Sequence, residues 1–181
     1  PEICYITLAL NLIGATSYFI KLAISEQDLI KETSKSRFAV VYDGMWENVK
    51  SVLSNDQFEK IIFVAVDSSM KCPMKQIAAF KNRIVKKSIL SMGDKYIYSE
   101  QATKQYYDYD GEMRPQYKKG RIAFITSSSG TTVNGVVKGV MASNEACISQ
   151  TYNYIADGRF ENIEQGLKVL LNLPPTASTG L

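Results

Sequence analysis

The chain has 181 residues, of which 45% are hydrophobic and 22% are charged, and its formal net charge is +3. This length and composition are typical of one globular domain with its own core and argue against wholesale disorder. The small net charge gives no basis for a nucleic-acid partner or a membrane surface. Because the sequence has no histidine, Ser/His/Asp and Cys/His catalysis within this chain is excluded, as is a zinc site with a histidine ligand.

The first predicted elements are a helix and a strand. Apolar residues recur at helical spacing from Ile3 to Ile13, Gly14 can end the helix, and residues 15–20 have the composition of a strand. Polar residues such as Asn11 and Lys21 interrupt this apolar run, so it does not predict a membrane span.

Helices and strands then alternate. Ser25, followed by Asp28, predicts the N-cap of a helix that runs to about Lys35. Continuous apolar runs predict strands buried on both faces, at 37–43 and 60–67. Further helices are predicted at 45–53 and 76–87. The second of these carries basic residues that we expect on a solvated face: Lys81, Arg83, Lys86 and Lys87.

The second half of the chain predicts a polar loop followed by more strands. Residues 106–120 are rich in turn formers, and strands are expected at 121–126, 136–142 and 168–174. Ser143 is expected to cap a helix that runs to about Ala156. The fold class predicted is α/β, with a mostly parallel sheet flanked by helices on both faces.

A run rich in glycine, serine and threonine follows the strand at 121–126. Its composition fits a flexible linker, but apolar segments stand directly on both sides, which favours a loop held between two strands. Glycines let backbone N–H groups converge on one point, and the hydroxyls and Lys138 add donors and positive charge, as phosphate binding requires. A nucleoside-triphosphatase P-loop is excluded because Lys138 is displaced and the next segment is typical of a strand, not of a helix.

The residues of this run, Ser128-Ser129-Gly130-Thr131-Thr132 and then Gly135-Val136-Val137-Lys138-Gly139-Val140 with Ser143, resemble the signature of the acyl-adenylate-forming superfamily. This superfamily includes acyl-CoA synthetases, amino-acid adenylation domains and luciferases. Its pattern is Thr-Ser-Gly-Thr-Thr-Gly, a spacer ending in Pro-Lys, then Gly-Val and a Ser-His helix start. The resemblance extends to the first twenty residues and to Leu173-Pro174, and so covers almost the whole chain.

This chain departs from the family pattern at a few positions. Val133-Asn134 form an insertion before the second glycine, Val137 replaces the usual proline and Asn144 the usual histidine. Ala177 stands where a histidine or aromatic residue is usual. The match covers only the front of the family's large domain, so residues 1–181 are expected to form one α/β unit of a longer enzyme.

The resemblance implies an AMP-forming acid–thiol ligase, which converts a carboxylic acid and ATP to acyl-AMP and pyrophosphate. A thioester with coenzyme A or a carrier phosphopantetheine then forms, and Mg²⁺ accompanies the nucleotide. The implied phosphate contacts are Ser128, Ser129, Gly130, Thr131, Thr132, Gly135 and Lys138. The main catalytic residues are expected in the rest of the parent enzyme, so the isolated chain is expected to be inactive.

Two other functions are open from the sequence. A non-catalytic binding or structural module could keep the fold without the chemistry, and the insertion and the missing histidine favour it. A serine hydrolase built on residues 127–129 would lack both a histidine and a GxSxG elbow.

The cysteines indicate the compartment. Cys4, Cys72 and Cys147 are odd in number and widely spaced, which predicts neither a disulfide framework nor a metal-binding pair. A reducing compartment fits best, and a cytoplasmic location is expected.

Overall fold

A computed structural model describes residues 2–20, 25–65, 67–68, 70–108, 114–127 and 139–158. The helices are α1 (Glu2–Leu12), α2 (Glu26–Thr33), α3 (Trp46–Leu53), α4 (Met74–Leu90), α5 (Ser99–Gln105) and α6 (Asn144–Ala156). The strands are β1 (Ser17–Phe19), β2 (Phe38–Tyr42), β3 (Lys60–Val64), β4 (Tyr96–Tyr98), β5 (Ile122–Ser127) and β6 (Gly139–Ser143). A 3₁₀ turn spans Asp43–Met45. None of the helices in this part of the chain is long and apolar enough to cross a membrane.

The chain divides into two compact units. The first contains Ala23–Asp110 with the first two residues, and the second contains Ile3–Leu22 and Gly111–Leu181. The strands accordingly form two three-stranded sheets, ordered β2-β3-β4 and β1-β5-β6. The α/β class is confirmed, and β5–β6 is the one antiparallel pair among the described strands. The prediction of one mostly parallel sheet is not met by these strands, which form one parallel and one mixed sheet.

The core of the first unit lies against one face of its parallel sheet. Ile61 and Phe63 of β3 are fully buried, as is Ile89 of α4. The Trp46 ring meets Phe63 and Tyr96 edge-on, at centroid distances of 5.4 and 5.7 Å. Edge-to-face pairs of this kind add to the free energy gained from burying apolar area.

The other face of this sheet departs from the prediction at strand β2. The continuous apolar run at 37–43 predicted burial on both faces, but Phe38, Val40 and Tyr42 are 60%, 43% and 45% exposed. The strand itself is correctly placed, and it pairs in parallel register with β3. The prediction of two-sided burial is wrong because β2 is an edge strand, and none of the described elements packs over these three side chains.

Local sequence signals explain where several helices begin and end. Ser25 Oγ accepts a hydrogen bond from the Asp28 N–H at 3.2 Å, so α2 begins at the predicted cap. Helix α1 is followed by Gly14, whose φ of +78° lies in the left-handed region that favours glycine. Both predictions are confirmed.

The prediction missed two elements, and it was wrong for one of the four basic residues expected on the solvated face of α4. The sequence did not predict β4 or α5, although both are present. Lys81, Arg83 and Lys87 are exposed as predicted, but Lys86 is half-buried because its ammonium group pairs with Asp67. The strand predicted at 168–174 lies outside the described residues.

Candidate functional site

The loop predicted to bind phosphate joins β5 to β6, which pair as antiparallel strands. Ser127 stands opposite Gly139 in this pairing, so the two ends of the loop are held side by side. The predicted contacts that lie outside the described residues are Ser128, Ser129, Gly130, Thr131, Thr132, Gly135 and Lys138. The structure therefore describes the base of the loop and its position in the second unit.

The base of the loop is firmly held. Strand β5 lies between β1 and β6, and Thr126 near its end is 2% exposed. The rings of Phe124 and Phe19 pack at a centroid distance of 6.1 Å. A Cβ atom at Gly139 would lie 3.1 Å from Ile125 Cγ2, so a larger residue at this position would require the Ile125 side chain to shift by a few tenths of an ångström.

The segment after the loop is a strand and then a helix. Strand β6 ends at Ser143, whose Oγ accepts a hydrogen bond from the Ala146 N–H at 3.2 Å and so caps α6. This confirms the predicted cap. It also agrees with the exclusion of a nucleoside-triphosphatase P-loop, in which a helix would follow the loop directly.

Asn144 is the residue that the sequence resemblance aligned with a histidine of the adenylate-forming signature. Its Oδ1 accepts a hydrogen bond of 2.7 Å from Asn11 Nδ2. In turn, Arg121 Nη2 donates to the Asn11 backbone carbonyl at 2.9 Å and to Asn11 Oδ1 at 2.8 Å. Asn144 therefore connects the start of α6 to the end of α1, which is a structural use of this position.

A second group of polar residues lies in the first unit, where its parallel strands end. Asp43 follows β2, Asp67 follows β3 by three residues and Tyr98 ends β4, and all three are at least 96% buried. We call this group, together with Asn82 and Lys86 of α4, the strand-end cluster. The carboxyl ends of parallel strands are where open α/β sheets usually bind ligands.

Hydrogen bonds and charges connect the cluster. Asn82 Nδ2 donates to Asp43 Oδ2, and Lys86 Nζ lies 3.0 Å from Asp67 Oδ1 and 3.3 Å from Oδ2. Only the Oδ2 contact has hydrogen-bond angles, so the shorter Oδ1 contact is purely an ion pair. Lys86 Nζ also lies 5.4 Å from the centroid of the Tyr98 ring, within cation–π range.

The protonation states follow from these contacts. Burial alone raises the pKa of the Asp67 carboxyl, but the Lys86 ammonium and a backbone N–H outweigh it, so this pKa lies below its usual value. Burial first, and then the Asp43 carboxylate, holds the pKa of Tyr98 far above its usual value. At neutral pH the cluster therefore contains a paired aspartate and a protonated tyrosine.

The strand-end cluster is better suited to holding the fold together than to binding a ligand. Its members lie on three strand ends and on α4, and Lys86 already offsets the charge of Asp67. The described residues also contain no group of three or more Cys, Asp or Glu side chains that could hold a metal ion.

The strand-end cluster was not predicted from the sequence, although Asp43 and Asp67 carried part of its signal. Asp43 and Asp67 each stand at the end of a continuous apolar run. Because parallel strands end at the same edge, these two carboxylates could have been placed together from the sequence. Asn82 and Lys86 carried no such signal, since their positions depend on how α4 packs.

Comparison with models of protein families, with curated proteins and with solved structures found no match to the chain.

Proposed function

We propose that the chain is the front part of the large domain of an ATP-dependent, AMP-forming acid–thiol ligase. The observation that carries this proposal is the order of elements around the loop. A buried strand leads into the Ser/Gly/Thr run, and the loop returns on an antiparallel strand whose first residue is the close-packed Gly139. Ser143 then caps a helix directly. This is the order in which the family signature arranges the same residue types.

The proposed role of the loop is to bind the phosphates of ATP. In the reaction, a carboxylate oxygen attacks the α-phosphorus, the bond to the β-phosphate oxygen breaks, and pyrophosphate leaves. The thiol of coenzyme A or of a phosphopantetheine carrier then attacks the acyl carbon and AMP leaves. Negative charge grows on the pyrophosphate as it departs, so donors placed around the β- and γ-phosphates lower the barrier.

Each residue type in the loop has a part in this role. Hydroxyls from Ser128, Ser129, Thr131 and Thr132 donate to phosphate oxygens, while Gly130 and Gly135 turn backbone N–H groups toward them. The ammonium of Lys138 offsets phosphate charge, and Mg²⁺ arrives with the nucleotide. The rest of the parent enzyme supplies the adenine pocket and the catalytic residues. The free cysteines, Cys4, Cys72 and Cys147, fit a cytoplasmic enzyme.

Calorimetric titration of the chain with sodium tripolyphosphate tests the phosphate-binding role without requiring catalysis. We expect saturable binding that weakens about tenfold in Lys138→Ala, because one charge-assisted contact is lost. The matched control is Lys104→Ala, which removes an exposed lysine of α5 and should bind like the unchanged chain. Absent binding, or equal weakening in both variants, would contradict the proposal.

A second candidate is a binding module without ligase chemistry. The hydrogen bond of Asn144 to Asn11 favours it, because the side chain at the usual histidine position serves the fold. The two candidates differ in the parent protein. A ligase exchanges pyrophosphate into ATP in the presence of its acid and loses about a hundredfold in rate in Lys138→Ala at unchanged melting temperature. A binding module shows only background pyrophosphate exchange, both in the unchanged protein and in Lys138→Ala.

A further inference from the structure

An open cavity of about 240 Å³ lies in the second unit, between the end of α1 and the segment that leads into β5. Its walls are formed by Asn11, Leu12, Arg114, Pro115, Tyr117 and Arg121. We call it the arginine cavity. It is smaller than the roughly 300–1,000 Å³ of most pockets for drug-sized ligands. A ligand of only a few heavy atoms, or one end of a larger ligand, fits this size.

Gly14 packs closely against Pro115 and Arg121, two of the residues that line the arginine cavity. A Cβ atom at Gly14 would lie 2.7 Å from Pro115 Cγ and 3.1 Å from Arg121 Nη1. Real Cβ atoms essentially never come within 3.0 Å of another atom, so a larger residue at position 14 would have to displace Pro115. The positive φ of Gly14 also favours glycine at this position.

The guanidinium of Arg121 is oriented but incompletely satisfied. Nη2 is fixed by its two hydrogen bonds to Asn11, which Asn144 holds in place. Nε is buried and has no hydrogen-bond partner among the described residues. Neither Arg121 nor Arg114, the two arginines that line the cavity, is ion-paired with a carboxylate of the described residues.

The surroundings decide which anion suits the cavity. The Glu145 carboxylate accepts hydrogen bonds from the hydroxyl of Tyr117 and from the Gly120 N–H. These contacts, Tyr117 first, lower the pKa of Glu145 to about 2, so it stays charged beside the cavity. Two arginines and one glutamate leave a net charge of +1, which matches a monoanion better than a phosphate dianion.

The apolar part of the lining narrows the ligand further. Leu12, Pro115 and the ring of Tyr117 offer no charge and suit an apolar body. Both Nη2 hydrogens of Arg121 donate to Asn11, so Arg121 offers its Nη1 to a carboxylate group, and the exposed Arg114 offers its planar guanidinium fork. We propose that the arginine cavity binds a small organic carboxylate, with its head on Arg121 and Arg114 and its apolar body against Leu12, Pro115 and Tyr117.

This site is separate from the proposed phosphate loop. The cavity adjoins the start of β5 at Ile122, whereas the loop leaves from its end at Ser127. At a rise of about 3.3 Å per residue, the two lie about 17 Å apart along the strand. The cavity and the base of the loop therefore lie near opposite ends of β5. The inference also holds if the proposed ligase function fails.

Titration of the chain with sodium benzoate tests the proposal, with the ¹⁵N–¹H resonance of Arg121 Nε as the readout and sodium chloride at matched ionic strength as the reference. We expect a saturable shift of this resonance with benzoate and none with chloride. In Arg114→Gln the benzoate dissociation constant should rise about tenfold, because one charge-assisted contact is lost. Arg114 is exposed, so this variant is expected to fold normally.

The control variant is Lys119→Gln, which removes the same charge from an exposed residue that does not line the cavity. It should bind benzoate like the unchanged chain. Absence of a saturable shift overturns the proposal. Equal weakening in both variants also overturns it, because the anion then responds only to diffuse charge. Tighter binding of inorganic phosphate than of benzoate overturns the assignment to a carboxylate.

Discussion

The ion pair between Lys86 and Asp67 shows how packing can bury a lysine that the sequence places on a solvated helix face. Lys86 lies on α4 beside Lys87, yet its side chain is only 24% exposed and its ammonium group faces the carboxylate of Asp67. A carboxylate that is 3% exposed is costly to bury unless it is paired and hydrogen-bonded. Lys86 therefore offsets the charge of the Asp67 carboxylate, which would otherwise be buried without a partner.

Replacing Lys86 by methionine should lower the free energy of unfolding by about 2–3 kcal/mol. Loss of one partner of a fully buried pair costs about 3–5 kcal/mol, and the partial exposure of Lys86 reduces this figure. Urea denaturation followed by circular dichroism measures the change. The matched control, Lys87→Met, alters an exposed neighbour and should change stability by less than about 0.5 kcal/mol.

A double variant makes the Lys86 prediction specific to the ion pair. Lys86→Met combined with Asp67→Asn removes both charges and should be more stable than Lys86→Met alone, because no unpaired charge remains buried. A double variant that loses the sum of the two single effects would show that Lys86 contributes through packing alone.

At the scale of single residues, contacts with near neighbours in the sequence could be predicted, whereas contacts with distant residues could not. Ser25 and Ser143 were correctly placed as caps because a cap depends on neighbours three residues away. The burial of Lys86 and the hydrogen bond between Asn11 and Asn144 depend on residues far along the chain. No local pattern carries that information.

At the scale of elements, the hairpin of β5 and β6 is the structure that the functional proposal needs. Its strands were predicted because a polar, glycine-rich run separates two apolar ones. Strand β4 was missed because it has only three residues, and its burial comes from β3 and the core around Trp46. Helix α5 follows it without a Ser, Thr, Asp or Asn at the cap position, so its start carried no signal.

The cap of α6 makes a testable contribution at this scale. Ser143→Ala removes the acceptor for the Ala146 N–H and should lower the free energy of unfolding by about 1 kcal/mol. Ser149→Ala, within the same helix and exposed, is the control and should be neutral or slightly stabilising, because alanine has the higher helix propensity. Thermal unfolding of both variants checks the prediction. Equal melting temperatures would mean that the start of α6 is held by other contacts, such as that of Asn144.

At the scale of the whole chain, each of the two units contains a carboxylate whose pKa is lowered by folding. Asp67 in the first unit owes this to Lys86, and Glu145 in the second owes it to Tyr117 and backbone N–H groups. Since the unfolded chain then binds protons more tightly than the folded one, acid favours unfolding. This contribution to stability is complete above the unfolded pKa values of about 3.9 for Asp and about 4.3 for Glu. It is lost as pH falls through the lower folded values.

We therefore expect the melting temperature to fall steeply between about pH 4.5 and pH 2. Glu145→Gln should flatten this fall, because the variant no longer gains a proton on unfolding at that position. The control, Glu100→Gln, replaces an exposed carboxylate of α5 and tests whether loss of any negative charge has the same effect. Calorimetric scans at half-unit pH steps give the slopes. If Glu145→Gln keeps the slope of the unchanged chain, or if Glu100→Gln flattens it equally, the hydrogen bonds from Tyr117 and Gly120 do not lower the pKa of Glu145 in solution.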